Sequence, residues 1–394
     1  MKFAHLADCH LGSWRQEEMQ ELNFLSFQTA TDNCIKESVE FILISGDLFD
    51  SAYPPIEILK KTFAQFRKIK DAGIPTYLIA GSHDFSASGK TFLDVLEKAG
   101  FCKNIEQSEV QEDGRIKLTP HLHKGIAIFG YSGKKSSMEV EDLKKIYFDS
   151  VYPFTILMLH TTISDVVGTI PMESIDKIKL PLADFYAFGH IHQVFEKHEA
   201  SAIYTYPGPT FPNNFQELAD LKTGSFNLVT MENKKIKIDN RKINLKEVVY
   251  FEIKIDNALT ATEKIIQEFN KPYLNDKIVL MKLVGTINQG KTGDIRFDEI
   301  ESFVDKKQAY TFIRNISSLK SEESEIEIDV GDIENLEEKI IEEYSQKNPS
   351  DFNKTIPQLV TALSIEKNED EKIIIFENRL MDELKKILNL PDEN

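Results

Sequence analysis

Five short motifs in this chain each set a residue able to hold a metal ion just beyond an apolar run. They are Asp8-Cys9-His10, Gly46-Asp47-Leu48-Phe49-Asp50, Gly81-Ser82-His83-Asp84, His160 after Leu157-Met158-Leu159, and Gly189-His190-Ile191-His192. Asp8 and His10 are two residues apart, as are His190 and His192, so on extended backbone both side chains of each pair project to one side. A carboxylate with imidazoles suits Mn²⁺, Fe²⁺ or Zn²⁺, whereas an all-oxygen shell suits Mg²⁺ or Ca²⁺. Asp47 follows a glycine, which lets backbone and ions approach closely, and a carboxylate can bridge two cations where an imidazole cannot. Two ions roughly 3.5–4 Å apart clamp a phosphate and activate a bridging water. His83 is then left for proton transfer to the leaving oxygen. One D-x-H or H-x-H alone is more often a satisfied surface or core pair; five motifs in order at strand ends are not explained that way. His5, His121, His123 and His198 fit none of the five and read as structural or exposed.

The elements that must position these residues alternate in type. Phe41–Ile44, Thr76–Ala80, Ile126–Phe129 and Thr155–Leu159 have the length of buried strands. Between them, Leu22–Val39, Ile56–Ala72 and Thr91–Ala99 carry apolar residues at helical spacing, with Gly or Pro at most junctions. The pattern predicts an α/β domain over 1–240 whose ligands gather at one edge, where open α/β sheets bind their ligands. From residue 246 the pattern changes. Val249, Phe251, Ile253 and Ile255 alternate as a half-buried strand, Thr260–Phe269 reads as a helix, Ile278–Val284 as a strand and Phe297–Val304 as a helix. A small α+β domain over 246–316 is expected. Residues 317–394 then form an acidic linker, with a short helix around Leu336–Tyr344, and an amphipathic helix over Ile373–Leu390. So far from the core, that last helix either packs back or binds a partner.

The 394 residues suffice for two or three domains with an ample core. No apolar stretch approaches the roughly 20 residues that span a bilayer. The chain enters a strand-like run at Lys2, without a signal-peptide pattern, and a cytoplasmic location is expected. Cys9, Cys34 and Cys102 form no C-x-x-C pair, against a disulfide framework or a thiolate zinc site. The net charge is −17, but 322–343 alone holds eleven carboxylates and one Lys. Lys234, Lys235, Lys237, Arg241, Lys242 and Lys246 face only Asp239 in their stretch, either as a strip that tracks phosphates or as a solvated strand edge.

The ordered motifs resemble the signature of the calcineurin-like metallophosphoesterase superfamily: D-x-H, G-D-x-x-D, G-N-H-D/E, H and G-H-x-H. Within it, Phe3-Ala4-His5-Leu6-Ala7-Asp8-Cys9-His10-Leu11-Gly12, Ile44-Ser45-Gly46-Asp47-Leu48-Phe49-Asp50, Gly189-His190-Ile191-His192 and Tyr206-Pro207-Gly208 resemble the double-strand-break repair nuclease family, of the meiotic-recombination and SbcD type. The resemblance implies a four-layer β-sandwich flanked by helices, a DNA-contacting α+β capping domain, and a C-terminal helical element that engages the coiled-coil base of an SbcC-type ABC ATPase. It also implies homodimerisation through the helices Leu22–Val39 and Ile56–Ala72. Carried over by position, one metal takes Asp8, His10, Asp47 and His192, the other takes Asp47, Ser82, His160 and His190, and His83 is the catalytic histidine. Mn²⁺ is the metal most expected.

Two positions depart from the family pattern. Where it has Asn, this chain has Ser82, whose hydroxyl reaches less far than an amide oxygen, so the second site is expected to bind its ion more weakly or through water. Asp50 stands where some members carry His. The leading expectation is a manganese-dependent DNA exonuclease and endonuclease in break repair. The alternatives are a phosphodiesterase acting on smaller substrates and a scaffold that lost turnover through Ser82.

Overall fold

Strands buried on both faces need apolar side chains at every position, and each half of their alternation then serves a different core. In the computed structural model, which describes residues 1–85, 91–149, 151–167, 172–199, 202–232, 235–321, 350–365 and 373–388, the first strands are mostly apolar and, from Phe3 on, buried throughout. Strands β1 (Lys2–Leu6), β2 (Ile42–Ser45) and β3 (Thr76–Ile79) alternate with helices α1 (Glu17–Lys36), α2 (Ile56–Asp71) and α3 (Phe92–Lys98). The short strands β4 (Lys103–Asn104), β5 (Ser108–Val110), β6 (Ile116–Leu118) and β7 (His121–His123) lead to β8 (Ile126–Tyr131). Then come α4 (Glu139–Leu143), β9 (Ile146–Tyr147), β10 (Phe154–His160), α5 (Ser164–Val167), β11 (Phe185–Gly189), β12 (Val194–Glu199), β13 (Ala202–Pro207), α6 (Phe215–Leu221), β14 (Gly224–Glu232) and β15 (Lys235–Ile243).

These strands make two six-stranded sheets, in the orders β15-β14-β1-β2-β3-β4 and β12-β13-β11-β10-β8-β7, with a small third sheet β5-β6-β9. Phe3, Leu43, Ile128, Ile156, Met158 and Phe185 fill the space between the large sheets. Ala4, Leu6 and Ile44, on the other side of the first sheet, pack under Phe27 of α1 and Phe66 of α2. Leu157 and Leu159 of β10 face outward from the second sheet, against Val140 and Leu143 of α4. The result is the expected α/β sandwich of four layers. α1 begins at Glu17, one turn ahead of the expected Leu22, because Glu17 and Glu18 favour the positive end of a helix and Met19 is already buried.

The chain divides into two compact units, residues 1–285 with 289–319, and residues 286–288 with 320–394. The first also contains β16 (Val248–Lys254), α7 (Ala261–Phe269), most of β17 (Ile278–Ile287), α8 (Phe297–Lys306) and most of β18 (Thr311–Ser321). β17 is the central strand of their three-stranded sheet and pairs in parallel with β16. This α+β layer shares a core with the sandwich, in which Val248, Ile278 and Leu280 meet Met19 and Leu22 of α1 and Leu218 of α6. In the second unit the helices Ile356–Leu363 and Ile373–Leu388 pack on each other. Among the described side chains of the latter none is fully buried, and Ile375 and Met381 are exposed. Lys234, the acidic run 322–343 and the helix expected over 336–344 lie outside the described residues. Among the described residues no helix is long and apolar enough to cross a membrane.

Candidate metal centre

Parallel strands end together, and the C-terminal ends of β1, β2, β3, β10 and β11, with the loops that follow them, carry the five motifs to one rim. The first two loops are zipped: the Asp8, His10 and Leu11 N–H groups donate to the carbonyls of Gly46, Asp47 and Leu48 at 3.1, 3.0 and 2.9 Å. The expected extended backbone at Asp8-x-His10 is not what brings its side chains together. β1 stops at Leu6, and Asp8, His10, Asp47 and His190 all have left-handed φ, at +51°, +43°, +49° and +90°. Non-glycine residues adopt that region at a cost and keep it where surrounding structure enforces it, often at functional sites. Packing here is too close for side chains at the flanking glycines. A Cβ on Gly46 would stand 2.2 Å from His160 Nδ1, and one on Gly81 2.1 Å from Asp47 Oδ1.

The structure brings Asp8, His10 and His192 together within 4.8 Å of one another in ligand atoms, and likewise Asp8, Asp47 and His160. Asp47 Oδ2 lies 3.6 Å from His10 Nε2 and 3.2 Å from His160 Nε2, between the two sets. Its Oδ1 accepts from the His83 N–H at 2.8 Å. His190 stands at the border, its ring centroid 5.1 Å from that of His160 and its N–H donating to Asp8 Oδ1 at 2.8 Å. Ser82 is half-buried in the turn between Gly81 and His83. His83 is exposed, with Nδ1 2.8 Å from the Asp50 carbonyl oxygen and its ring 4.7 Å from that of His10.

Second partners decide which ring nitrogen is free. His10 Nδ1 meets Asp50 Oδ1 at 3.2 Å, His192 Nδ1 meets Glu217 Oε2 at 2.9 Å, and His160 Nδ1 meets the Ser45 carbonyl at 2.9 Å. With acceptors on Nδ1, a proton is held there and each Nε2 points inward, where it can turn a lone pair to a bound cation. The Nε2 atoms of His10 and His192 then face each other at 3.1 Å, an arrangement two lone pairs do not favour without a cation. Asp8 Oδ2 and His160 Nε2 are buried with no hydrogen-bond partner; the nearby Asp47 Oδ2 is out of line for one. These donors fit divalent ions of borderline softness.

The charge balance agrees. Burial opposes protonation of His160, yet Asp47 and then Asp8 outweigh it and raise its pKa to about 10. Burial, followed by His160, lowers His190 to about 4. Burial works against ionisation of Asp47, but His160, His10 and His83 hold it far below the usual carboxylate range. In the protein alone, positive charge on His160 offsets carboxylates that bound cations would otherwise neutralise.

Sequence reasoning gave no role to three supporting residues. Asp84 accepts from the N–H groups of Leu48, Phe49 and Gly81 at 3.1, 3.0 and 3.0 Å, tying two ligand loops together. Burial, then Asp47, raises its pKa to about 6. Glu217 and Asn213 come from α6 and the residues before it, with Asn213 Nδ2 3.4 Å from Asp50 Oδ1. The only available signals were the Asp directly after His83, and Asn214 three residues before Glu217 as a helix start.

Residues 1–194 match the family model of the calcineurin-like phosphoesterases. Over most of its length the chain is similar to DNA double-strand break repair proteins Mre11. It is 26% identical to that of Sulfolobus acidocaldarius, covering 94% of this chain and 96% of that protein. It is 27% identical to that of Methanococcus maripaludis, covering 87% and 95%. With the Bacillus subtilis metallophosphoesterase YhaO it shares 29% identity over 56% of this chain and 55% of that one. Residues 1–194 form a calcineurin-like metallophosphoesterase domain, and the chain as a whole resembles the double-strand-break repair nucleases of that superfamily. The nuclease is a metal-dependent phosphodiesterase, and the rim of buried carboxylates and inward-facing imidazoles is where its divalent ions fit.

Proposed function

We propose that the nuclease hydrolyses DNA phosphodiester bonds in double-strand-break repair, as a manganese-dependent 3′–5′ exonuclease and endonuclease. The observation that carries the reading is the set of three imidazoles, His10, His160 and His192, each with Nδ1 on an acceptor, with the Nε2 atoms of His10 and His160 beside Asp47 Oδ2 and that of His192 against His10 Nε2. Asp8, His10, Asp47 and His192 would hold one ion, and Asp47, Ser82, His160 and His190 the other. Divalent ions there would supply Lewis acidity and a clamp for the scissile phosphate. His83 is the proton donor in this reading: the Asp50 carbonyl fixes its Nδ1 and leaves Nε2 to reach the leaving oxygen from the exposed side.

The assembly follows from the same reading. Residues 246–316 act as the DNA-capping domain and 317–394 as linker and docking region for an SbcC-type coiled-coil ABC ATPase. The half-buried Phe376, Leu380 and Leu384 and the exposed Met381 of the last helix support docking, since they find no full burial in this chain. Homodimerisation uses α2, whose groove of Ile56, Leu59, Phe63, Ala64 and Phe92 offers an apolar face, with Ile56 73% exposed. The test is a nuclease assay on linear duplex DNA with Mn²⁺ or Mg²⁺, with and without the ATPase. Manganese-dependent degradation that the ATPase extends to longer duplexes is expected. Hydrolysis confined to mononucleotide esters, with DNA left intact, would support the small-substrate alternative.

A further inference from the structure

One short helix touches both the metal rim and the α+β layer. At its front, Glu217 is bound from three directions. Its Oε2 accepts from His192 Nδ1 at 2.9 Å and from the Asn213 N–H at 2.8 Å, and its Oε1 accepts from Asn214 Nδ2 at 2.6 Å. Asn214 Oδ1 in turn caps the helix by accepting from the Glu217 N–H at 3.0 Å. Asn213 reaches Asp50 Oδ1, the same oxygen that faces His10 Nδ1. The two imidazoles whose Nε2 atoms stand 3.1 Å apart are therefore both oriented from the start of α6.

At its back, α6 has little support of its own, being seven residues long and ending in a left-handed Lys222. What holds it is the shared core. Leu218 is fully buried there with Val248, Ile278 and Leu280, and Phe215 meets Tyr250 of β16 edge to face at 6.4 Å. Trp14 Nε1 donates to the Pro212 carbonyl at 2.9 Å, fixing the residue ahead of Asn213. A helix this short does not keep its position without tertiary packing.

We propose that Glu217 is the positioning residue for His192, and that α6 makes the affinity of the His10–His192 metal site depend on how the α+β layer is seated. Glu217 never touches the ion. It fixes the tautomer and direction of a ligand, and removing such a partner weakens metal binding about 10–100-fold. The inference rests on the two-metal reading above and adds to it a route by which the layer beside the site sets one of the two affinities.

Calorimetric titration of the full chain with Mn²⁺ tests this, with circular dichroism to verify the fold. The native protein should bind two ions. Glu217→Ala should weaken one of them about 10–100-fold and leave the other within about twofold. Glu217→Gln, which keeps an acceptor oxygen for His192 Nδ1, should recover part of that loss. Tyr250→Ala lies in the α+β sheet and removes the ring beside Phe215; it should weaken the same ion several-fold in a folded protein. Unchanged affinities in folded Glu217→Ala would overturn the positioning role, and unchanged affinities in Tyr250→Ala would overturn the link through α6. A native protein that binds one ion or none would remove the two-metal reading, and this inference with it.

Discussion

Two H-x-H motifs in this chain share a spacing and come to opposite ends. His190 and His192 follow β11 on the rim, where His192 has Glu217 on Nδ1 and stands within ligand reach of Asp8. His121 and His123 form β7 and pair with Ile128 and Ile126 in the first half of β8, whereas the rim lies beyond the end of β8, with Gly133 against His160. Their neighbours are aromatic. Tyr77 lies 4.7 Å from the His121 ring and Phe41 lies 4.9 Å from the His123 ring, and Tyr77 Oη meets His123 Nδ1 at 2.8 Å. Burial lowers the pKa of both, so they stay neutral at physiological pH. His5, between the sheets beside Phe185 and with Nε2 3.0 Å from Ser45 Oγ, is the extreme case, with burial lowering its pKa to about 3. Spacing alone therefore does not make a ligand pair. Carboxylates within reach, and at His192 an acceptor that commits Nδ1, mark the rim pair as the candidate.

The sharpest way to break the contrast is Asp47→Ala. Asp47 Oδ2 sits between His10 and His160, so its loss should reduce bound metal to one ion or none. Turnover should fall by at least about three orders of magnitude, about 4 kcal/mol of barrier. Two ions retained by elemental analysis would show that Asp47 is no bridge. His83→Ser should cost about 10²–10⁴-fold in rate with metal content and DNA binding kept, the pattern of a proton donor; equal loss of metal would make His83 a ligand. Ser82→Asn restores the longer amide reach and should tighten the weaker ion roughly tenfold, about 1.4 kcal/mol. Two equally tight ions in the unaltered protein would remove the basis for that expectation.

Acid titration tests the apolar class. Below pH 6.5 the unfolded chain takes up a proton at His5 that the native state refuses until about pH 3. Native stability should therefore fall with pH across that window, by up to about 1.4 kcal/mol per pH unit from this group. His5→Asn should show a shallower slope in chemical denaturation, and an identical slope would count against a neutral buried His5. The smallest effect belongs to His121→Ala with His123→Ala. Metal stoichiometry should be unchanged and nuclease rate within about twofold, with about 1 kcal/mol of stability lost with the Tyr77 hydrogen bond.

The candidate ligands were legible because residue type, a preceding apolar run and order along the chain all point the same way. The sandwich was legible because β2, β3 and β10 are continuous apolar runs flanked by helices of clear period. What stayed hidden arises from contacts between distant segments. The left-handed backbone at Asp8, His10 and Asp47 goes with the zipping of two loops that follow different strands. Glu217 is 25 residues from the histidine it contacts, and nothing in its own surroundings marks it apart from a helix start. β18 runs on to Ser321, beyond the expected end of the α+β domain near residue 316, because among its side chains of described burial Ile313 alone is fully buried, which leaves no alternation to read.

The central claim is that the strand-end rim, and not the histidine-rich edge at β7, holds two metal ions. Anomalous diffraction from crystals soaked in Mn²⁺, with data at the manganese edge, tests it most directly. The account predicts two adjacent peaks, one beside Asp8, His10 and His192 and the other beside His160 and His190, with Asp47 between them. A single peak, or a peak at His121 and His123, would contradict it.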